Sequence, residues 1–414
     1  MYKKLCGLVL FSLLSVALAQ TEVIWWDFLG GGDGVRMRAM IEEFNQSHPD
    51  IQITPTTLEW GETYYTRVQT AAAVGQGPDI MTYHLSRYPL AVEQGVLRPF
   101  SEDELASAGI SRDTFTSSLI EAATFDDQLY GIPLDIHALI LYYNRDILRE
   151  VGLLAEDGTP QGIDSLEGFN AALQTVSEAG YLPLSFQTDN QSATVWRIFM
   201  TYLNQQGGSV VDGEEIAAGE AAVQTVEMMA NWVEQGYARS NVEYEASVAL
   251  FASGDTAFHY NGVWEVPTFT DLAEGEDFFD WGAMVVPALF DQPATWADSH
   301  TFAIPAGDIS DEKLAAVLEV IAWMNENSLQ WAGAGHVPAY LPVVESEAYQ
   351  SLEPNATYAE LINNAAYDPN SPLAGVAGPM YAASANFIAP SVNGQLPPNQ
   401  AVQGFVEELN AQMR

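Results

Sequence analysis

The sequence predicts an α/β fold in two lobes. Three observations carry this reading. Short apolar strands alternate with amphipathic helices from Val23 onward, the same alternation restarts near Leu139, and no linker rich in Pro, Gly or Ser parts the two runs. Two lobes without a linker imply that the chain crosses between them more than once.

The elements follow in order. Val23-Ile24-Trp25-Trp26 reads as a short buried strand. Asp33 is placed to cap a helix whose Met37, Met40, Ile41 and Phe44 fall on one face, with Pro49 beyond its end. Residues 51–58 read as a second strand, 62–74 as a helix broken by Gly75-Gln76-Gly77-Pro78, and 79–84 as a third strand. Units this short imply a parallel sheet. In the second run, 139–143 is a strand and 144–151 a helix. Asp164 and Glu167 open a helix bearing Leu166, Phe169, Leu173 and Val176 in the manner of a capping box. A strand at 181–187 precedes helices near 192–205, 220–235 and 243–252. Strands at 256–260 and 281–286 follow, then a helix at 311–327 with Leu314, Val317, Leu318 and Ile321 on one face. No fixed-period repeat is present, which argues against solenoids and propellers.

Composition narrows the function. The 414 residues are 48% hydrophobic, enough for a large core and too many for wholesale disorder. Only 14 Lys and Arg face 55 Asp and Glu, a net charge of −41. No basic surface is available for nucleic acid, an anionic membrane or a polyanion. The first nineteen residues read as a cleaved signal peptide. Lys3 and Lys4 are its charged start, 5–18 its apolar run, and Ala17-Leu18-Ala19 its cleavage site. The run is short of the roughly 20 residues that span a bilayer. Cys6, the one cysteine, lies inside it, and Gln20 stands where a lipobox would place a cysteine. Losing Lys3 and Lys4 with the leader takes the charge from −41 to −43. A soluble periplasmic or extracellular protein, monomeric and without disulfides, is expected.

Catalytic signatures are missing. The six histidines form no HExxH pair, no mature cysteine offers a thiolate, and GxGxxG, Walker A and GxSxG motifs are absent. No cofactor, metal site or metal dependence is expected. Gly30-Gly31-Gly32-Asp33-Gly34 reads as a turn rather than an anion cradle, and Asp126-Asp127 and the acids of 274–280 as solvated loops rather than calcium sites. The positive signal lies where strands meet turns. Trp25, Trp26 and Asp27, then Glu59 and Trp60, then His84, Ser86 and Arg87 end the first three strands. Asp135 and His137, Asn261 and Trp264, and Trp296, Asp298 and His300 stand at later strand ends. Ligands bind outside the carboxyl ends of strands in open α/β sheets. Aromatic faces stack on sugar rings, while carboxylates, amides and Arg bond hydroxyls. A core position is the alternative for each tryptophan.

The residues at this point resemble a known family. Ala71-Ala72-Ala73-Val74-Gly75-Gln76-Gly77-Pro78-Asp79-Ile80 is similar to its helix, turn and strand. Glu93-Gln94-Gly95-Val96-Leu97 and Leu129-Tyr130-Gly131-Ile132-Pro133, then Leu141-Tyr142-Tyr143-Asn144-Arg145-Asp146, resemble its next segments. Phe258-His259-Tyr260-Asn261-Gly262-Val263-Trp264 and Phe302-Ala303-Ile304-Pro305 complete the series. In this order they resemble the extracellular solute-binding proteins of carbohydrate ABC importers, which include maltose-binding protein. The resemblance implies the two-lobed periplasmic-binding-protein type II fold, with a sugar clasped between lobes and handed to a membrane permease. It implies an N-terminal lobe of 20–134 and 286–335, a C-terminal lobe of 135–285 and 336–414, and crossovers near 131–135, 285–288 and 337–341. It places a stacking aromatic at Trp264. One departure stands out: Ala297-Asp298-Ser299-His300 occupies the place where many members carry Gly-Gly. The expected protein is a binder and not an enzyme. The rival readings are a secreted carbohydrate-active hydrolase or lyase, an adhesive surface protein, and a binder of a polyol or compatible glycoside.

Overall fold

The computed structural model describes residues 20–413 apart from 192, 214 and 276. The leader, 1–19, lies outside the described residues. The architecture is mixed α/β, built on two large sheets with helices packed around them. The first sheet runs Ile51–Thr57, Thr21–Asp27, Ile80–His84, His300–Pro305, Leu97–Arg98, and Ile132–Pro133 also pairs with His300–Pro305. Its first three strands are parallel, joined by helices Gly31–Ser47 and Glu62–Ala73. The first helix buries the expected Met37, Met40, Ile41 and Phe44. Its N-cap, however, is Gly30 and not Asp33. The helix begins three residues earlier than the sequence suggests, so Asp33 falls inside the first turn, and its carboxylate meets His336 instead, at 3.1 Å.

The second sheet runs Ala365–Tyr367, Thr295–Asp298, Asp135–Asn144, Thr256–Gly262, Leu182–Ser185, with Trp281–Val285 and Val337–Pro338 also on the long central strand. The expected parallel arrangement holds here only for the pairs Thr256–Gly262 with Leu182–Ser185 and Thr295–Asp298 with Ala365–Tyr367. Every strand paired with Asp135–Asn144 runs antiparallel to it. The chain enters this lobe along that strand, and its neighbours carry it back toward the first sheet. Helix Leu166–Glu178 buries Phe169, Ala172, Leu173 and Val176, but Ser165 rather than Asp164 caps it, through Gly168 N. Helix Ala193–Gln205 is buried continuously from Thr194 to Leu203. It is apolar on nearly every face because protein surrounds it.

The chain changes sheets at Leu134, at Ser299 and again over 333–336, where it leaves helix Ser328–Ala332 for Val337–Pro338. The second change comes later than 285–288, because Thr295–Asp298 stays paired with the long strand through Ala297 and Ala138. The three passages are stitched together. Leu134 N donates to His300 O at 2.8 Å, and Ala339 N to Leu134 O at 3.0 Å. His300 stands opposite His84 in one sheet, and Asp298 opposite His137 in the other.

Candidate functional site

Strand ends from both sheets meet at these passages. On the first-lobe side, His84 ends Ile80–His84 and a short 3-10 turn, Leu85–Arg87, follows. Phe28 stacks on the His84 ring at 4.4 Å, Trp60 approaches it edge-on at 6.5 Å, and Tyr65 Oη bonds its Nδ1. On the second-lobe side, the Arg197 guanidinium lies between two indoles, 4.5 Å from Trp264 and 4.7 Å from Trp296. Trp264 Nε1 donates to Tyr244 Oη at 2.8 Å, fixing that wall. His137 joins the sides: its ring lies 6.0 Å from Trp264 and 5.4 Å from His84.

Two carboxyl groups of the second lobe stand near Leu85 and Ser86 of the first. Asp298 accepts from Ser86 N at 2.9 Å and from Ser86 Oγ at 2.5 Å. Asp368 Oδ1 accepts from Trp196 and Trp296, at 3.0 and 2.9 Å, while its buried Oδ2 has no hydrogen-bond partner among the described residues. Burial pushes Asp298 up to about 7 against the stabilising Ser86 bonds, and pushes Asp368 up to about 6 against the bonds from Trp296 and Trp196. Both border a cavity of about 90 Å³ with Leu85, Ser86, Phe125 and Tyr367. That volume is far below a disaccharide. Roomier hollows, of about 780 Å³ beside Trp26 and Arg67 and about 850 Å³ beside Ile216 and Asn410, lie on the outside of one lobe each. Neither collects groups from both sheets.

The deepest layer is ionic. Asp135 is fully buried beside His137, His300 and His336. Burial alone would raise its carboxyl, but His300 and His336 hold it well below the usual range. His137 is pushed down to about 3 by burial and by His300, and burial with His300 and His137 lowers His84 well below the usual imidazole range.

The sequence-derived candidates divide accordingly. His84, Ser86, Arg87, Asp135, His137, Trp264, Trp296, Asp298 and His300 come together, with exposed Trp60 at the edge. Arg87 lies over the Tyr65 ring at 4.4 Å. Glu59 is exposed beyond them. Trp25 is core: wholly buried, it donates to Thr82 Oγ1 at 3.0 Å and edges Phe302. Trp26 faces the other way, near Arg67 at 5.4 Å. Thus neither indole of the pair reaches the junction. Asp27 accepts from Leu29 N at 3.0 Å and shapes a turn. Asn261 braces its own turn through Gly262 N, at 2.8 Å. Trp296 is wholly buried behind Arg197 and contributes as support. The sequence reading missed Phe28, Tyr65, Arg197, Trp331, His336 and Asp368. Only scarcity pointed to two of them, since histidines number six and Arg and Lys together fourteen.

Comparison with known proteins agrees with this architecture. Residues 39–361 match the family described as bacterial extracellular solute-binding protein. The arabinooligosaccharide-binding protein of Bacillus subtilis (strain 168) is 24% identical over 254 residues, 55% of this chain and 54% of that protein. The chain therefore spans about half the length of that relative. The galactooligosaccharide-binding protein of the same organism is 20% identical over 403 residues, 95% of this chain and 90% of its own. Among solved structures, an ABC substrate-binding protein from Listeria monocytogenes in complex with cycloalternan superposes with a TM-score of 0.80 at 20% identity, covering 95% of this chain and 99% of its own. The GacH receptor of Streptomyces glaucescens, solved unliganded and with acarbose, gives 0.79 at 18% identity over 95% and 98%.

Proposed function

The chain belongs to the bacterial extracellular solute-binding proteins, and from that premise we propose that it captures a carbohydrate, a di- or oligosaccharide, between its lobes and delivers it to the permease of an ABC importer. The observation that supports this most is the Trp264–Arg197–Trp296 stack facing Phe28, Trp60 and His84 across the sheet junction. Relatives named for arabinooligosaccharides and galactooligosaccharides support the ligand class. The ligand meets Trp60, His84, Ser86 and Arg87 from one lobe and Arg197, Trp264, Asp298 and Asp368 from the other. The lobes are 20–134 with 299–335, and 135–298 with 336–414. Each hydroxyl that finds a partner contributes about 0.5–1.5 kcal/mol net, and each stacked ring about as much again. Contacts on both walls exist together only when the lobes close, so the ligand shifts the population toward the closed form. The protein turns nothing over, and it reaches its compartment through cleavage before Gln20.

A thermal-shift screen of purified protein against sugars and polyols tests this, because a ligand that binds only the native state raises Tm. At least one di- or oligosaccharide should raise Tm and bind one-to-one by calorimetry. New reducing ends from a bound oligosaccharide would instead make the protein an enzyme. Silence across the whole panel would remove the carbohydrate reading.

A further inference from the structure

Where the chain passes between sheets, one carboxylate faces three imidazoles. Asp135 and His137 begin the long strand of the second sheet, His300 begins a strand of the first, and His336 ends the third passage. All four are buried, with at most 5% exposure. His137 Nδ1 lies 3.2 Å from Asp135 Oδ1, while the Nδ1 atoms of His300 and His336 lie 2.8 and 3.2 Å from Oδ2. Ligand atoms of the four residues sit within 4.8 Å of one another. Two donors bound at roughly 2.0–2.1 Å to one tetrahedral ion stand about 3.3 Å apart.

Hydrogen bonding alone does not account for this packing. A carboxylate has about four acceptor sites. Asp135 already receives His300 N at 2.9 Å on Oδ1 and Trp331 Nε1 at 2.6 Å on Oδ2. Two sites remain for three imidazoles, and His336 Nδ1 is left buried without a hydrogen-bond partner among the described residues. Its other nitrogen, Nε2, sits 3.1 Å from Asp33 Oδ1, which draws the ring proton there. With no ion between them, this pair needs an imidazolium whose Nδ1 proton lies toward Oδ2; a cation held between Nδ1 and Oδ2 would replace that proton. Asp33–His336 also has the form of the carboxylate–histidine pair that commonly orients a metal ligand from behind. The sequence gives no hint of this, because its donors come from three separate segments rather than one spaced motif.

We propose that Asp135, His137, His300 and His336 bind one divalent transition-metal ion of the zinc class, which ties the three inter-lobe passages together. Three imidazoles and one carboxylate suit Zn²⁺ or Co²⁺ in a four-coordinate site and disfavour Mg²⁺ or Ca²⁺, which prefer all-oxygen shells. His137 and His300 lie toward the cleft, so the ion enters when the lobes part. The inference is independent of the carbohydrate reading.

The test is metal titration of chelator-treated, full-length secreted protein with Zn²⁺ by calorimetry, with metal content measured after dialysis, and with Co²⁺ as a spectroscopic probe. One equivalent of Zn²⁺ should bind, and Co²⁺ should give the intense visible bands of a tetrahedral site. H300Q and H336Q should lose that equivalent, and Asp33→Asn should weaken it about 10–100-fold while keeping the stoichiometry. Sub-stoichiometric Zn²⁺ or a weak octahedral Co²⁺ spectrum from the wild-type protein overturns the proposal without any variant. So does unchanged Zn²⁺ binding in folded H336Q. Those results would leave His336 as a charged imidazolium between Asp33 and Asp135.

Discussion

The tryptophans show how a single residue's neighbours decide its role. Trp264 is half-buried with Arg197 over its ring, whereas Trp25 is sealed in the first lobe's core. Trp264→Ala should weaken sugar binding by about 2 kcal/mol, either through lost stacking or through release of the guanidinium it holds, with little change in apo Tm. Trp25→Ala should cost roughly 3–5 kcal/mol of stability and leave the affinity of the surviving folded protein near wild type. Calorimetry and thermal melts on the two variants separate these outcomes, and a Trp264→Ala protein of unchanged affinity would move the cleft elsewhere. Strand alternation showed that Trp25 and Trp26 point oppositely. It carried no information on which layer covers each face, and in the event a helix-covered core takes one and the outer surface the other. Asp298 and His300 were legible because they break a local pattern. Arg197 was not, because it sits inside a helix whose apolar residues dominate the reading.

At the level of elements, the passages depend on glycines that admit close approach. Gly335 has φ +92°, and a Cβ there would lie 2.0 Å from the carbonyl oxygen of Val263. Gly335→Ala should therefore destabilise by about 2–4 kcal/mol, from backbone strain plus a displaced 3-10 turn that carries Trp264. Chemical denaturation checks this, and a loss under 1 kcal/mol would show that the passage yields easily. The helices read from apolar spacing lie within one to three residues of their observed bounds, whereas Glu102–Ser107, Val266–Ala273 and Pro398–Gln412 were not legible. Caps were less legible: Gly30 caps three residues before Asp33, and Ser165 one residue after Asp164. The long strand was read as beginning near 139 and begins at Asp135. Its first residues carry the polar Asp135 and His137, whose burial against other passages no local pattern discloses. Strand direction in the second sheet was likewise hidden, because pairing partners come from distant segments.

For the whole molecule, closure and proton uptake are coupled through Asp368. Its buried carboxyl lines a small cavity shared with Leu85, Ser86 and Phe125 of the other lobe, and burial raises it to about 6 from an ordinary 3.8. Opening hydrates it. The closed state thus holds the proton more tightly, and this contribution is complete below pH 3.8 and lost as pH rises through about 6. Sugar affinity should be higher at pH 5 than at pH 8, by a factor of at most about ten through this carboxyl. In Asp368→Asn that slope should flatten. Titrations at several pH values decide it, and an affinity that falls as the solution is acidified would exclude the coupling.

The threading of the chain also has a consequence for how the protein is made. Strand His300–Pro305 lies between Ile80–His84 and Leu97–Arg98, so the first sheet has a gap at its middle until residue 305 of 414 has left the ribosome. A nascent chain therefore presents two unpaired strand edges through most of its synthesis. The lobe at the amino end finishes after the greater part of its partner has been built, and the usual order in which domains fold as they emerge is reversed. Fragments ending shortly before residue 300 should aggregate, whereas those ending shortly after residue 335 should gain protease resistance in the first lobe. Delayed completion of this kind keeps the chain extended longest during the interval in which it is still being handed on.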